Sequence, residues 1–91
     1  MKYEIRMSTS FKKDLKLAKK RGLDSSELNF VIKELANGNT LDEKYKDHAL
    51  SGNWNGYREC HVEPDWLLIY RIDGDELYLY LVRTGTHSDL F

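Results

Sequence analysis

The chain has 91 residues, a formal net charge of −1, 41% hydrophobic residues and 32% charged residues. This length suits one domain over residues 1–91, and the hydrophobic share is enough for a core, which excludes wholesale disorder. The single cysteine excludes a disulfide framework and a cysteine-based zinc ribbon. No apolar run approaches the roughly 20 residues of a membrane span, and residues 1–4 lack the apolar stretch of a secretory signal. We therefore expect a cytoplasmic protein with no membrane partner.

The first part of the chain predicts a strand followed by two helices. Residues 3–7 alternate apolar and polar side chains, which is typical of a half-buried strand. Hydroxyl side chains at residues 8–10 can cap a helix over residues 11–21, and Gly22 ends it. A second helix is predicted from its N-cap Asp24 to Ala36. The short connection predicts an antiparallel helical hairpin.

The second part of the chain predicts an antiparallel meander. Residues 39–56 are polar and irregular, and the hydrophobic period then changes to two. Strands are predicted at residues 57–63, 66–72 and 76–83, followed by a short tail over residues 84–91. The order β-α-α-β-β-β indicates an α+β fold in which a mostly antiparallel sheet carries the helical hairpin on one face.

Positive charge is concentrated near the start of the chain. Residues 1–21 contain eight Lys or Arg and two Asp or Glu, whereas residues 22–91 contain six and thirteen. A basic stripe can bind nucleic acid. It can also be simply the solvated face of a helix, and charge alone favours that second interpretation.

The alternation along two strands assigns side chains to faces of the sheet. Cys60 and Val62 are small and apolar, which suits the face covered by helices, so His61 is expected on the open face. In the last strand, Arg83 is predicted to end the apolar row formed by Leu77, Leu79 and Leu81.

Three histidines, His48, His61 and His87, are the candidates for proton exchange near neutral pH. No pair of them has a local metal-ligand spacing, so neither a zinc site nor another cofactor is expected. Cys60 and His61 point to opposite faces, which argues against a cysteine nucleophile. Metal-independent phosphoryl transfer on RNA requires acid–base groups, a cation for the charge on phosphorus, and aromatic side chains for an unstacked base. Beside the histidines, the end of the chain supplies Arg83 and Phe91, and the turn between the predicted strands 57–63 and 66–72 supplies Asp65 with Trp66.

Four segments together resemble YafQ-type toxins of the RelE/ParE superfamily. They are residues 45–50 (Tyr-Lys-Asp-His-Ala-Leu), 52–58 (Gly-Asn-Trp-Asn-Gly-Tyr-Arg), 61–66 (His-Val-Glu-Pro-Asp-Trp) and 83–91 (Arg-Thr-Gly-Thr-His-Ser-Asp-Leu-Phe). The resemblance extends over essentially the whole chain. It implies a RelE/ParE-like fold and the toxin of a type II toxin–antitoxin pair. Such a toxin is a ribosome-dependent endoribonuclease that cuts mRNA in the A site.

The resemblance also implies partners and residue roles. The partners are a cognate antitoxin, the ribosome with its RNA, the mRNA substrate, and operator DNA only through the antitoxin. His87 would be the general acid, while His48, His61 and Asp65 would share the base and positioning roles. Arg83 would stabilise the charge on phosphorus. Contacts to mRNA bases would come from Trp66 and Phe91, and contacts to ribosomal RNA phosphates from Lys12, Lys13, Lys16, Lys19 and Lys20.

Other interpretations stay open at this point. The same fold serves ParE-like inhibitors of gyrase, which cut no RNA, and it could also belong to an inactive module that only binds an antitoxin. Trp66 begins a buried-looking strand and could be an ordinary core residue, and Phe91 could lie at a frayed end.

Overall fold

The computed structural model describes residues 1–91 and contains a five-stranded sheet with the order β1-β5-β4-β3-β2. β1 runs parallel to β5, and all other neighbouring strands are antiparallel. The predicted α+β fold is therefore confirmed, although β2 adds a short strand within the segment predicted to be irregular. The strands are β1 (Glu4–Met7), β2 (His48–Ala49), β3 (Arg58–Glu63), β4 (Trp66–Asp73) and β5 (Tyr78–Gly85).

Two long helices form the predicted hairpin, α1 (Thr9–Lys20) and α2 (Ser25–Ala36). Ser8 caps α1 by accepting a hydrogen bond from the Phe11 backbone N–H, and Asp24 caps α2. Both caps lie where the sequence predicts them, because side-chain oxygens there satisfy backbone donors that have no partner inside the helix. No helix in the structure combines the length and the apolar character that crossing a bilayer requires.

The hydrophobic core lies between this hairpin and one face of the sheet. Phe11 and Val31 from the helices are fully buried together with Cys60, Leu79 and Leu81 from the strands. The predicted orientation of Cys60 toward the helices is therefore confirmed. The opposite face of the sheet carries no helix of the hairpin, and we call it the open face.

A β-bulge changes the predicted orientation of Arg83. Ile69 pairs with Arg83 and Tyr70 pairs with Leu81, so Val82 is an extra residue on β5. A bulge reverses the alternation of side chains beyond it. The prediction that Arg83 continues the row of Leu81 is wrong, because Arg83 shares the open face with Ile69.

The last residues are more ordered than the predicted tail. β5 continues to Gly85, and a short helix follows, α3 (His87–Leu90). Thr86 and Asp89 form a reciprocal capping box, and the Asp89 carboxylate also accepts a hydrogen bond from Arg21 at 2.7 Å. These contacts hold α3 against the body of the protein and give His87 a defined position.

Candidate active site

One row of side chains crosses four strands on the open face. His48 pairs with Glu59, Glu59 with Ile69, and Ile69 with Arg83. Neighbouring strands lie about 4.8 Å apart, so the row spans about 15 Å between its outermost backbones. Residues directly opposite one another share a face. The row therefore places imidazole, carboxylate and guanidinium groups on one surface.

Glu59 lies between two histidines. Its Oε1 atom is 3.5 Å from His48 Nε2 and 3.8 Å from His61 Nε2, and its side chain is only 9% exposed. His48 Nδ1 lies 2.7 Å from the Lys46 carbonyl oxygen. A carbonyl only accepts hydrogen bonds, so this contact places the proton of a neutral His48 on Nδ1. Its Nε2 atom can then accept a proton, and Glu59 stabilises the resulting imidazolium.

A network below β2 positions His48. The Tyr70 hydroxyl donates a hydrogen bond to Asp47 at 2.6 Å, and Arg58 donates to both the Tyr70 hydroxyl and Asp47 at 3.3 Å. Burial, reinforced by the bond to Asp47, raises the pKa of Tyr70, so the phenol remains a donor. The network ties the residue before His48 to strands β3 and β4.

Arg83 is held by an acidic side chain from α1. Its guanidinium donates to Asp14 at 2.7 and 3.1 Å, and the Thr84 backbone N–H donates to the same carboxylate. These hydrogen bonds raise the pKa of Arg83 and keep its charge fixed at the end of the row. Asp14 thus orients the one cation of the row.

α3 brings His87 next to a set of aromatic rings. The His87 and Phe91 rings are 5.1 Å apart, and Phe91 contacts Trp54 at 6.2 Å. In the sheet, His61 pairs with Leu67, which pairs with Gly85, two residues before His87. The sheet register therefore brings the third histidine to the same end of the open face as His61.

Asp65 and Trp66 are neighbours in the sequence but differ in exposure. Asp65 is exposed on the turn between β3 and β4, at the end of the sheet that carries His61. Trp66 is only 7% exposed, and its indole N–H donates to the Thr84 hydroxyl at 2.9 Å. A ring buried in this way is not placed to stack on an RNA base, so Trp66 is a core residue here and not the predicted base contact.

The predicted RNA-binding lysines all lie exposed on α1, whose buried residues Phe11 and Ala18 belong to the core. Another residue of the same helix, Asp14, bonds Arg83, so α1 borders the Arg83 end of the row. The lysines are Lys12, Lys13, Lys16, Lys19 and Lys20.

Known proteins match this sequence over nearly the entire chain. A family model described as a bacterial toxin of type II toxin–antitoxin systems, YafQ, matches residues 3–91. The sequence is 48% identical over 89 residues to the mRNA interferase toxin YafQ of Escherichia coli strain K12, covering 97% of this chain and 95% of the relative. The chain belongs to the YafQ family of type II toxins. The resemblance seen in the sequence is confirmed.

Solved structures of YafQ proteins have the same fold. The crystal structure of YafQ from E. coli strain BL21(DE3) matches this structure with a TM-score of 0.91 and 44% identity, over 98% of each chain. The crystal structure of the E. coli DinJ-YafQ complex matches with a TM-score of 0.89 and 46% identity, also over 98% of each chain.

Two candidate residues of this YafQ-family site were missed from the sequence alone. Glu59 could have been found by following the predicted open face, because it alternates with Cys60 and shares a face with His61. Asp14 had a weaker signal, namely that it is the only acidic residue among the lysines of α1. Arg83 lies beyond the bulge at Val82, and no local sequence pattern predicts that bulge.

Proposed function

We propose that this protein is a ribosome-dependent mRNA interferase that cuts mRNA in the A site without a metal ion. The observation that carries the proposal is the row from His48 through Glu59 to Arg83 on one open face, with His87 at the same end of the sheet as His61. The name of the E. coli relative, mRNA interferase, supports the same activity.

The chemistry follows from the groups present. The Nε2 atom of His48 or His61 removes the proton from a 2′-hydroxyl, and Glu59 stabilises the imidazolium that forms. The 2′-oxygen bonds to the adjacent phosphorus, and the bond to the 5′-oxygen of the next nucleotide breaks. Arg83 stabilises the negative charge on the phosphoryl oxygens. His87 donates a proton to the leaving 5′-oxygen, so the products are a 2′,3′-cyclic phosphate and a free 5′-hydroxyl.

Further residues hold the substrate and its surroundings. Phe91 is 53% exposed and can contact an mRNA base, while Asp65 can orient the attacking nucleotide from its turn. The exposed lysines of α1 bind ribosomal RNA phosphates, and this contact weakens as salt increases. The DinJ-YafQ toxin–antitoxin complex of E. coli supports a cognate antitoxin as a partner of this protein. In this proposal the antitoxin blocks the site, and operator DNA is contacted only through it.

The test combines ribosome-bound mRNA with mapped cleavage products. We expect the purified protein to cut in the A-site codon and to leave 5′-hydroxyl ends that a polynucleotide kinase labels directly. His87→Ala should reduce the cleavage rate about 10²- to 10⁴-fold while antitoxin binding is retained. Lys33→Ala, which removes an exposed charge from α2, is the matched control and should cut normally.

Expression of the protein in growing cells, with the mRNA ends mapped, can give two results that would overturn the proposal. Growth arrest with intact messages would assign the protein to ParE-like inhibitors of gyrase. Unimpaired growth with antitoxin binding would make it an inactive binding module.

A further inference from the structure

A second surface on the open face lies outside the row of catalytic candidates. It is a groove of about 560 Å³ whose aromatic and cationic lining comes from five residues, which we call the tyrosine–arginine surface. We propose that it binds the single-stranded mRNA that flanks the scissile phosphate on one side. This inference rests on the proposed nuclease function and adds a substrate subsite to it. The five residues are Arg6, Tyr57, Arg71, Tyr78 and Tyr80.

The sheet register connects this surface to the active site. Arg6 pairs with Tyr80, and Tyr80 pairs with Arg71. On β4, Arg71 is two residues from Ile69, the centre of the catalytic row, so both side chains share the open face. Two residues of strand span about 7 Å, which is about two phosphate spacings of a stacked strand. A polynucleotide centred on the row therefore reaches the groove with its next nucleotides.

The side chains have the chemistry that single-stranded RNA requires. The Arg71 guanidinium lies 4.4 Å from the centre of the Tyr80 ring, and Arg6 lies 4.6 Å from that of Tyr78. Stacked guanidinium planes offer a flat surface for bases and several donors for phosphates. Arg6 also contacts Glu4, but both side chains are more than half exposed, so this pair only weakly offsets the positive charge.

Aromatic contacts continue from the groove toward His87. Tyr57, in the wall of the groove, packs edge-to-face against Trp54 with ring centres 5.5 Å apart. Trp54 contacts Phe91 at 6.2 Å, and Phe91 contacts His87 at 5.1 Å. Bases that leave the catalytic row therefore meet aromatic side chains all the way to the tyrosine–arginine surface.

A protein occupant fits this surface less well. An added peptide strand would pair with the outer edge of β1, in the plane of the sheet. The side chains of this surface project from the face of the sheet instead, so such a strand would not cover them. An apolar partner helix would have to bury two arginines without a designated anion. RNA supplies both an anion and a stacking group at each nucleotide.

The experiment compares mRNAs that end at the A-site codon with mRNAs extended on the 5′ or 3′ side. On the extended form that fills the groove, Arg71→Ala and Tyr80→Leu should each lower kcat/KM about 5- to 150-fold, mainly through KM. On the mRNA that leaves the groove empty, both variants should cut like wild type. Arg71→Lys keeps the charge but loses the planar stack, and it should recover only part of the loss. The charge-matched control Lys33→Ala should be normal on every substrate.

A binding measurement separates this inference from the nuclease proposal. Fluorescence anisotropy with an RNA oligonucleotide carrying a 2′-deoxy substitution at the cut site needs no cleavage, and it should rank the variants in the same order. Wild type that binds this RNA but leaves unmodified, ribosome-bound mRNA uncut would refute the nuclease proposal alone. If Arg71→Ala and Tyr80→Leu lost kcat/KM equally on short and extended mRNAs, the proposed subsite would be overturned. Unchanged RNA affinity with weakened antitoxin binding would also overturn it and would assign the surface to the antitoxin.

Discussion

Replacing Trp66 by Phe distinguishes a core tryptophan from an RNA-binding one. The indole N–H donates to the Thr84 hydroxyl at 2.9 Å, and that hydroxyl uses its own proton to bond the Leu67 carbonyl at 2.8 Å. Phenylalanine leaves the buried Thr84 oxygen with one donor fewer, at a cost of about 1–3 kcal/mol. The lost part of the ring leaves a space that adds about 1 kcal/mol.

The sum predicts that Trp66→Phe lowers the free energy of unfolding by about 2–4 kcal/mol. For a domain of this size, the melting temperature should fall by about 8–30 °C. A chain of 91 residues has a stability of about 5–14 kcal/mol, so the variant should still fold at 25 °C. Its cleavage rate at 25 °C should stay within threefold of wild type, because the buried ring does not contact the substrate.

Urea unfolding followed by circular dichroism measures the stability, and mapped cleavage of ribosome-bound mRNA measures the rate. Thr84→Val is the second variant of the cycle, since it removes the same hydrogen bond from its other end, together with the hydroxyl's own bond to the Leu67 carbonyl. The double variant should show a coupling of about 0.5–3 kcal/mol. Wild-type stability combined with a tenfold or greater loss of cleavage would refute the reasoning and return Trp66 to the RNA-binding residues.

Two further predictions concern ion pairs. Asp14→Asn should lower the free energy of unfolding by about 1–3 kcal/mol, because Arg83 loses its charged acceptor; a change below 0.5 kcal/mol in urea unfolding would contradict this. A hydrogen bond from the Thr86 backbone N–H and, as a smaller cause, one from the Arg21 side chain hold the pKa of Asp89 below its usual value. The carboxylate contact is therefore complete above the unfolded pKa of about 3.9 and lost as the pH falls through the lower folded pKa. The Thr86 amide shift in NMR should report a midpoint below pH 3.9, and a midpoint above it would exclude the contact.

Most elements could be predicted from the sequence because their signals are local. The caps at Ser8 and Asp24 precede apolar stripes of helical period. Alternation indicated the one strand before the helices and three of the four strands after them. The short strand β2 had no such signal. Its two residues, His48 and Ala49, become a strand only because β3 supplies the pairing partner.

The sequence by itself determined the order of the two long helices and of four of the five strands, the family, and the presence of three histidines, an arginine and basic residues on α1. These features follow from hydrophobic periodicity and motif spacing, which are signals between residues close together in the sequence. Only the tertiary structure decided which of these side chains meet. The bulge at Val82 turned Arg83 to the open face, Glu59 came between His48 and His61, and Trp66 became buried against Thr84. Strand register and burial depend on partners distant along the chain, and for that reason no local pattern contained them.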